Sequence, residues 1–209
     1  MTHRAKRCLA LLGVAAAVLT LAASCTPSRL VSQQANPEYV GKSFKSVMVV
    51  SVTADEIVRR TFEDKMVALL GQRGVKGIPA YDAVGKRGKV EEADLRQAIA
   101  RSGAEGVLIT RVTRVERTSG SISGGTGYVG IGWGGFYGYY SGVWQAVDLP
   151  PTQFKGSAFT ASETRLFDAK SGALAWTGIM DTRENDDISA VLTQYIDLIF
   201  DAMVSDRVL

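Results

Sequence analysis

Few side chains in this sequence could perform nucleophilic, acid–base or metal-binding chemistry. The only histidine, His3, and one of the two cysteines, Cys8, lie in a basic N-terminal segment. From Cys25 onward the chain has no histidine and no second thiol. For residues 25–209 this composition excludes catalysis by serine–histidine or cysteine–histidine pairs, and metal sites built from histidine or several cysteines. General acid–base chemistry would therefore fall to carboxylates, lysine or tyrosine.

Groups of neighbouring carboxylates are the remaining candidates for acid–base catalysis, and structural roles explain them. Asp168 is typical of a hairpin turn. Other groups lie where helices are expected to begin, and acidic side chains there interact favourably with the helix dipole. The acids from Asp181 to Asp187 offer oxygen ligands for Ca²⁺, but their spacing differs from that of the EF-hand loop. We therefore predict no enzymatic activity, no cofactor and no metal site. The groups are Asp55/Glu56, Glu91/Glu92/Asp94, Glu163/Asp168 and Asp181/Glu184/Asp186/Asp187.

The charge of the chain is concentrated at its N-terminus. The sequence has 24 basic and 21 acidic residues, and Arg4, Lys6 and Arg7 account for the whole excess. Residues 25–209 are therefore formally neutral, which gives no sign of the basic surface that a nucleic-acid-binding protein needs. Three arginines near the end of one predicted strand are interpreted as a solvated sheet edge, where charge prevents mispairing. They are Arg111, Arg114 and Arg117.

The N-terminal segment has the composition of a bacterial export signal. Its basic residues precede an apolar run that is shorter than the roughly 20 residues needed to span a bilayer. The run ends in Leu21-Ala22-Ala23-Ser24-Cys25, which resembles the lipobox of bacterial lipoproteins. The resemblance implies a signal peptide over residues 1–24, acyl chains on Cys25 that anchor the protein to a membrane, and, because Thr26 follows, sorting to the outer membrane. The alternative is an ordinary secretory signal with an incidental cysteine.

The rest of the chain divides into a tether and one domain. Residues 25–43 are rich in proline, serine and amide side chains without periodicity, which predicts a flexible lipidated tether. Residues 44–209 predict a single α/β domain with the order β-α-β-α-β, then a β-hairpin and a C-terminal helix, around a mixed sheet. A capping box formed by Thr53 and Glu56 is expected to start the first helix. Strands are predicted at 46–52, 75–81, 106–115, 154–167 and 173–180, and helices from 53 to about 71, over 91–102, and from 187 onward.

Several stretches of this domain resemble a known group of proteins. They are the apolar strand 47–52, the helix around 59–64, the strand entry 102–108 and the hairpin 164–176. Together they are similar to a group of proteobacterial outer-membrane lipoproteins of unassigned function. More distantly, the first half is similar to periplasmic lipoprotein activators of cell-wall synthases and to the curli secretion-channel lipoprotein. The resemblance implies the fold and a place in the cell envelope, and it carries over no functional residue.

An uncharged, glycine-rich and aromatic insertion is the segment most able to carry function. Residues 118–147 contain no charged residue. Two overlapping GxGxxG matches in it are explained by glycine density, because no helical pattern follows them. Three interpretations remain open: a loosely packed loop, a surface that contacts a partner protein, a glycan or the membrane interface, or a hairpin inserted into the membrane. The aromatic residues predicted to make such contacts are Tyr128, Trp133, Phe136, Tyr137, Tyr139 and Tyr140.

These observations predict a lipid-anchored protein on the periplasmic side of the outer membrane. We expect it to act as a non-catalytic binding or accessory module with an envelope protein as partner. The alternative is a subunit of an oligomeric outer-membrane channel or secretion complex that inserts residues 118–147. The sequence leaves the oligomeric state and the identity of the partner open.

Overall fold

A six-stranded mixed β-sheet separates two hydrophobic cores in this protein. The structure is a computed structural model. It confirms the predicted fold class, a single α/β domain around a mixed sheet. The residues that it describes are 28–53, 55–85, 91–117, 135–136, 138–140, 158–183 and 187–209.

The strands and helices follow the predicted order, with one additional strand at the start and one additional short helix, Ala80–Val84, where the end of a strand and a loop were predicted. The strands are β1 (Ser28–Ala35), β2 (Ser46–Val52), β3 (Lys76–Pro79), β4 (Gly106–Arg117), β5 (Ala158–Asp168) and β6 (Leu174–Arg183). The helices are α1 (Glu56–Gln72), α2 (Ala80–Val84), α3 (Glu92–Ser102) and α4 (Ile188–Ser205). No described helix is long and apolar enough to cross a membrane.

The sheet has the strand order β1-β6-β5-β4-β2-β3. Strands β3, β2 and β4 are parallel, whereas β4, β5, β6 and β1 are antiparallel neighbours. All seven residues of β2 are buried, which agrees with its largely apolar sequence. Strand β3 lies at one edge and ends at Pro79, a position that tolerates the missing N–H of proline.

Alternate residues of the central strands supply the two cores. Val47 and Val49 of β2 face the first core, which α1 and α4 cover. Met48 and Val50 face the second core, which contains α2, α3 and residues 136, 139 and 140. Because successive side chains of a strand point to opposite faces, a strand buried on both sides is expected to be largely apolar. The result is a three-layer α/β/α arrangement.

The prediction of a flexible tether over residues 25–43 is wrong for its described part. Residues 28–35 form the edge strand β1, which pairs with β6 from Ser28 opposite Thr182 to Ala35 opposite Trp176. Beyond the strand, Tyr39 is buried and stacks on Phe44. The strand escaped prediction because most of its side chains are exposed and polar. The strand is held in place by backbone hydrogen bonds to β6, and these bonds cannot be predicted from a hydrophobicity pattern.

Helix α1 begins two residues later than the predicted capping box. Asp55, not Thr53, is the N-cap: its carboxylate accepts hydrogen bonds from the backbone N–H groups of Ile57 (2.8 Å) and Val58 (3.1 Å). The Thr53 hydroxyl instead accepts a bond from the Asp55 N–H at 3.2 Å. A carboxylate at this position satisfies unpaired N–H groups of the first turn and interacts favourably with the helix dipole. The structural role predicted for the Asp55/Glu56 group is therefore confirmed, although Asp55 and not Thr53 caps the helix.

Four chain positions meet at one end of the sheet, which we call the Ser28 end. Ser28 starts β1 and Arg183 ends β6, while Arg117 and Ala158 bound the β4–β5 connection that contains the insertion; register places them side by side. The opposite end, the Gly172 end, carries the β5–β6 hairpin. There Gly172 has φ of +71°, a left-handed conformation that glycine adopts without strain. The chain therefore enters β1, enters the insertion and returns from it at the same end of the sheet.

Two neighbouring residues of β1 test whether this segment is part of the fold. Leu30 packs against the first core, whereas the side chain of Val31, at a bulge, is 51% exposed. We expect Leu30→Ala to lower the free energy of unfolding by about 1–2 kcal/mol, below the range for a fully buried leucine because Leu30 is only partly covered. Val31→Ala should change it by less than about 0.5 kcal/mol. Urea denaturation of residues 25–209 carrying Cys25→Ala measures both changes. If neither substitution changed the free energy of unfolding, residues 28–35 would be a flexible tether and not part of the fold.

Candidate functional site

A buried ionic cluster lies in the middle of the second sheet face. It consists of Arg111 on β4, Glu163 and Arg165 on β5, and Tyr139, and each of these residues is at most 7% exposed. Arg111 stands directly opposite Glu163 in the antiparallel register. Glu163 and Arg165 are two positions apart on β5 and so share one face. Backbone pairing of two strands therefore brings the three charges together.

Glu163 is the centre of this cluster. One of its oxygens, Oε2, accepts bonds from Arg111 Nε (3.1 Å), Arg111 Nη2 (3.0 Å) and the Tyr139 hydroxyl (3.0 Å). The other, Oε1, accepts from Arg165 Nε at 2.8 Å and lies 2.6 Å from Arg165 Nη2. The Tyr139 ring lies under both guanidinium groups, 4.3 Å from Arg165 and 5.2 Å from Arg111. Both carboxylate oxygens are thus occupied by donors.

The hydrogen bonds and ion pairs of the cluster stabilise the fold. Burial, reinforced by the Glu163 carboxylate, raises the pKa of the Tyr139 phenol, so the hydroxyl keeps its proton and donates it in a hydrogen bond. A carboxylate that accepts bonds from two guanidinium groups and a phenol is held as an acceptor and is poorly placed to take a substrate proton. Breaking such a buried network is costly, because it leaves charges without compensation in a medium of low dielectric constant. The cluster therefore fixes Tyr139 to β4 and β5.

Residues 135, 136 and 138–140 of the glycine-rich insertion lie in a turn that packs on this face through Phe136, Tyr139 and Tyr140. We call these residues the aromatic turn. The Phe136 N–H donates to the Gly172 carbonyl at 2.9 Å. The Phe136 ring meets Phe167 edge-on at 5.5 Å, and Tyr139 meets the same ring at 5.4 Å. Phe136 and Tyr140 are each 1% exposed. This part of the insertion is therefore a piece of the domain's interior.

The predicted contact residues divide into two groups. Phe136, Tyr139 and Tyr140 were expected at a contact surface, but they lie in the second core, because their rings cover the polar and apolar side chains of β4 and β5. That part of the expectation is corrected. Cys25, Tyr128, Trp133 and Tyr137 lie outside the described residues.

The solvated edge expected at Arg111 is also wrong. Strand β4 lies between β5 and β2, and Arg111 is 5% exposed in its ion pair with Glu163. The side chains of Arg114 and Arg117 lie outside the described part of the chain. The sequence did contain an indication of this burial. Glu163 and Arg165 lie on the same face of a strand that continues with the apolar residues Leu166 and Phe167. Charges on one face of a strand this apolar indicate an internal ion pair as readily as a wet surface.

A second polar group joins the sheet to α4 on the opposite face. Thr110 Oγ1 and Tyr195 OH are 2.8 Å apart, and Thr164 Oγ1 lies 3.0 Å from both. Thr110 and Thr164 are a directly opposed pair of β4 and β5. The three hydroxyls satisfy one another inside the first core, so this group positions α4 on the sheet.

Glu63 of α1 is the other buried carboxylate among the described residues. It accepts hydrogen bonds from the backbone N–H groups of Ser51 (3.1 Å) and Tyr81 (2.9 Å). Pairing between β2 and β3 stops at Val49 and Pro79, so Glu63 takes the place of a neighbouring strand beyond that point. Burial raises the pKa of the Glu63 carboxyl to about 7, against the opposing effects of its N–H donors and of Arg59.

The space around Glu63 is too small for a substrate. A cavity of about 10 Å³ lies beside Glu63, Arg59 and Tyr140. That volume is close to the minimum that one water molecule needs. Glu63 is 1% exposed, so an external molecule has no path of contact with its oxygens in this conformation. The arrangement terminates the β2–β3 pairing and offers no room for catalysis.

A wider opening of about 570 Å³ runs along α4. It is a surface groove lined by residues of that one helix and its N-cap, among them Asp187, Gln194, Asp197 and Asp201. The three aspartates are exposed to solvent. Over the part of the chain that the structure describes, no group of three or more histidine, cysteine, aspartate or glutamate side chains is placed to hold a metal ion.

The comparisons with known proteins find distant structural similarity. No protein-family model matches the chain, and no curated protein matches its sequence. Among solved structures, the PelC dodecamer from Paraburkholderia phytofirmans is 14% identical with a TM-score of 0.43, covering 87% of this chain and 99% of its own. Lipoprotein GNA1162 from Neisseria meningitidis is 15% identical with a TM-score of 0.41, covering 77% and 98%. Protein XCC0632 from Xanthomonas campestris is 10% identical with a TM-score of 0.33, covering 82% and 86%. At these scores the similarity assigns neither function nor assembly.

Removing the central carboxylate tests the structural role of the ionic cluster. We expect Glu163→Ala to lower the free energy of unfolding by about 3–5 kcal/mol, because Arg111 and Arg165 would remain buried without their counter-charge. Chemical denaturation followed by circular dichroism measures the loss. The matched control is Glu92→Ala, which breaks the exposed pair with Arg96 and should cost no more than about 0.5 kcal/mol. Equal, small losses in both variants would contradict the structural role of Glu163.

The raised pKa of Glu63 predicts a pH dependence of stability. Between its unfolded value of 4.5 and its folded value of about 7, the folded state holds a proton that the unfolded state has lost. Stability from this group is therefore complete below pH 4.5 and falls as the pH rises through 7, by about 3 kcal/mol at most. Glu63→Gln cannot ionise and should flatten this slope.

The comparison is made by urea denaturation of both proteins at several pH values between 4.5 and 8. Glu92→Gln is the control, because Glu92 is a partly exposed carboxylate of the same type. A slope that is unchanged in Glu63→Gln would show that other groups produce it.

Proposed function

We propose that this protein is a lipid-anchored, non-catalytic binding module on the periplasmic side of the bacterial outer membrane. The observation that carries the proposal is the position of Cys25. It ends the lipobox-like run that begins at Leu21, and an ordered strand begins three residues later, at Ser28. Acylation of Cys25 gives the lone thiol of residues 25–209 a role and holds a folded domain directly at the membrane. One acyl chain binds a membrane weakly, whereas several make release negligible.

Several features of the interior support binding over catalysis. Glu63 and Glu163, the two buried carboxylates of the described residues, are both engaged in structural hydrogen bonds. The cavity beside Glu63 has room for about one water molecule. The groove along α4 is broad and open, and its aspartates are solvated. An envelope protein is the proposed partner, and Tyr128, Trp133 and Tyr137 remain the contact residues proposed from the sequence.

The packing of the aromatic turn weighs against the alternative function as a channel subunit. A membrane hairpin made from the whole of 118–147 would have to withdraw Phe136, Tyr139 and Tyr140 from the second core. Each withdrawn ring would lose about 2 kcal/mol or more of burial, and Glu163 would lose one of its donors. These losses favour the binding module over the channel subunit.

Substitution of the two cysteines tests the anchor. We expect the native protein to fractionate with outer membranes and to show the mass of residues 25–209 plus a diacylglyceryl group and an amide-linked acyl chain. Cys25→Ala should lose both the added mass and the membrane association, because it removes the acylated atom. Cys8→Ala is the matched control and should behave as the native protein, since Cys8 lies in the predicted signal peptide. A native protein that is soluble and unmodified would overturn the proposal.

A further inference from the structure

We propose that the Ser28 end of the sheet faces the lipid headgroup surface, so that the Gly172 end is held farthest from the membrane. The inference rests on the proposed acylation of Cys25 and adds an orientation to it. A flexible tether of eighteen residues would leave the domain free to turn. The structure shortens that tether, because β1 begins at Ser28, three residues after Cys25.

The connection between anchor and domain is short. Only Thr26 and Pro27 separate Cys25 from Ser28. Three extended residues reach at most about 11 Å. The start of β1 must therefore lie within that distance of the acylated residue, whatever the rest of the domain does.

The start of β1 is firmly held in the fold. Ser28 is 2% exposed, its N–H donates to Gln194 Oε1 at 3.1 Å, and its hydroxyl lies 3.1 Å from that of Thr182. These contacts join it to the first turns of α4 and to the end of β6. The connection cannot lengthen by fraying without breaking them.

The length of the sheet then decides which end can approach the membrane. Strand β5 has 11 residues and spans about 33 Å between the two ends. This is roughly three times the reach of the connection, so an orientation with the Gly172 end against the membrane is excluded. Strand spacing places Ala158 and Arg117, the residues that bound the β4–β5 connection containing the uncharged insertion, about 10 and 14 Å from Ser28 along the same end.

A flat orientation on the β1 edge is disfavoured by charge. The groove along α4 includes Gln194, which bonds Ser28, together with Asp197 and Asp201 on the same side of the helix. Lying on this edge would press those carboxylates against lipid phosphates. Within the described residues the Ser28 end carries both signs, with exposed Arg29 and Arg183 near Asp181 and Asp187. The upright orientation avoids the acidic side of α4.

Two serines of α4 provide a matched pair of probes. Ser189 lies near the Ser28 end and Ser205 near the Gly172 end, both are exposed, and they are separated by about 24 Å along the helix. Because acylation consumes the Cys25 thiol, Ser189→Cys and Ser205→Cys each introduce a single reactive thiol into the acylated protein. The acylated proteins, residues 25–209, are labelled with one fluorophore. They are then reconstituted in phosphatidylethanolamine–phosphatidylglycerol vesicles containing a headgroup-attached quencher.

We expect the quencher to reduce the emission at position 189 severalfold more than at position 205. Equal quenching, or stronger quenching at 205, would overturn the orientation. Inserting about twelve glycine and serine residues between Pro27 and Ser28 should abolish the difference, because the reach then exceeds the length of the sheet. A difference that survives the insertion would show that the short connection does not set the orientation.

Vesicle flotation separates this proposal from the one on which it rests. If the unsubstituted protein floats with vesicles but both labels are quenched equally, only the orientation is wrong. If it does not float, and behaves as Cys25→Ala does, the lipid anchor itself is wrong and the orientation falls with it.

Discussion

The arrangement of the second sheet face depends on one buried carboxylate. Glu163 holds Arg111 across the β4–β5 register, Arg165 along its own strand and Tyr139 from the insertion. A buried guanidinium group tolerates its loss of hydration only when a counter-charge and acceptors are close. The sheet can therefore carry two arginines in its interior only while Glu163 and the Tyr139 ring cover them. The covering turn is in this way tied to a sheet from which it is distant in sequence.

Two other carboxylates also accept hydrogen bonds from the backbone at places where strand or helix hydrogen bonding stops. Glu63 accepts backbone N–H groups where β3 no longer reaches β2, and Asp55 accepts those at the start of α1. Both carboxylates complete hydrogen bonding that the secondary structure leaves open. Carboxylates of the kind that often act in catalysis therefore stabilise the fold in this protein.

Sequence reasoning recovered the elements whose order is recorded in side-chain pattern. Strand β2 is apolar on both faces, and α4 has its apolar residues on one side, so their burial follows from periodicity. The same reasoning failed for β1 and for Arg111. In β1 the stabilising contacts are backbone hydrogen bonds to β6, which leave little trace in composition. For Arg111, burial depends on which strand lies next to β4, and local sequence does not specify strand order.

The sequence by itself determined the fold class, the order of the strands and helices after residue 44 except for the short helix Ala80–Val84, and the candidate anchor at Cys25. Apolar periodicity, turn residues and a cleavage pattern are local properties. Tertiary structure alone decided that residues 28–35 are a strand, that Phe136, Tyr139 and Tyr140 are interior, and that Ser28, Arg117 and Ala158 share one end of the sheet. Those outcomes depend on contacts between residues far apart in the chain. These contacts stabilise the protein only when the partner strands are already in place.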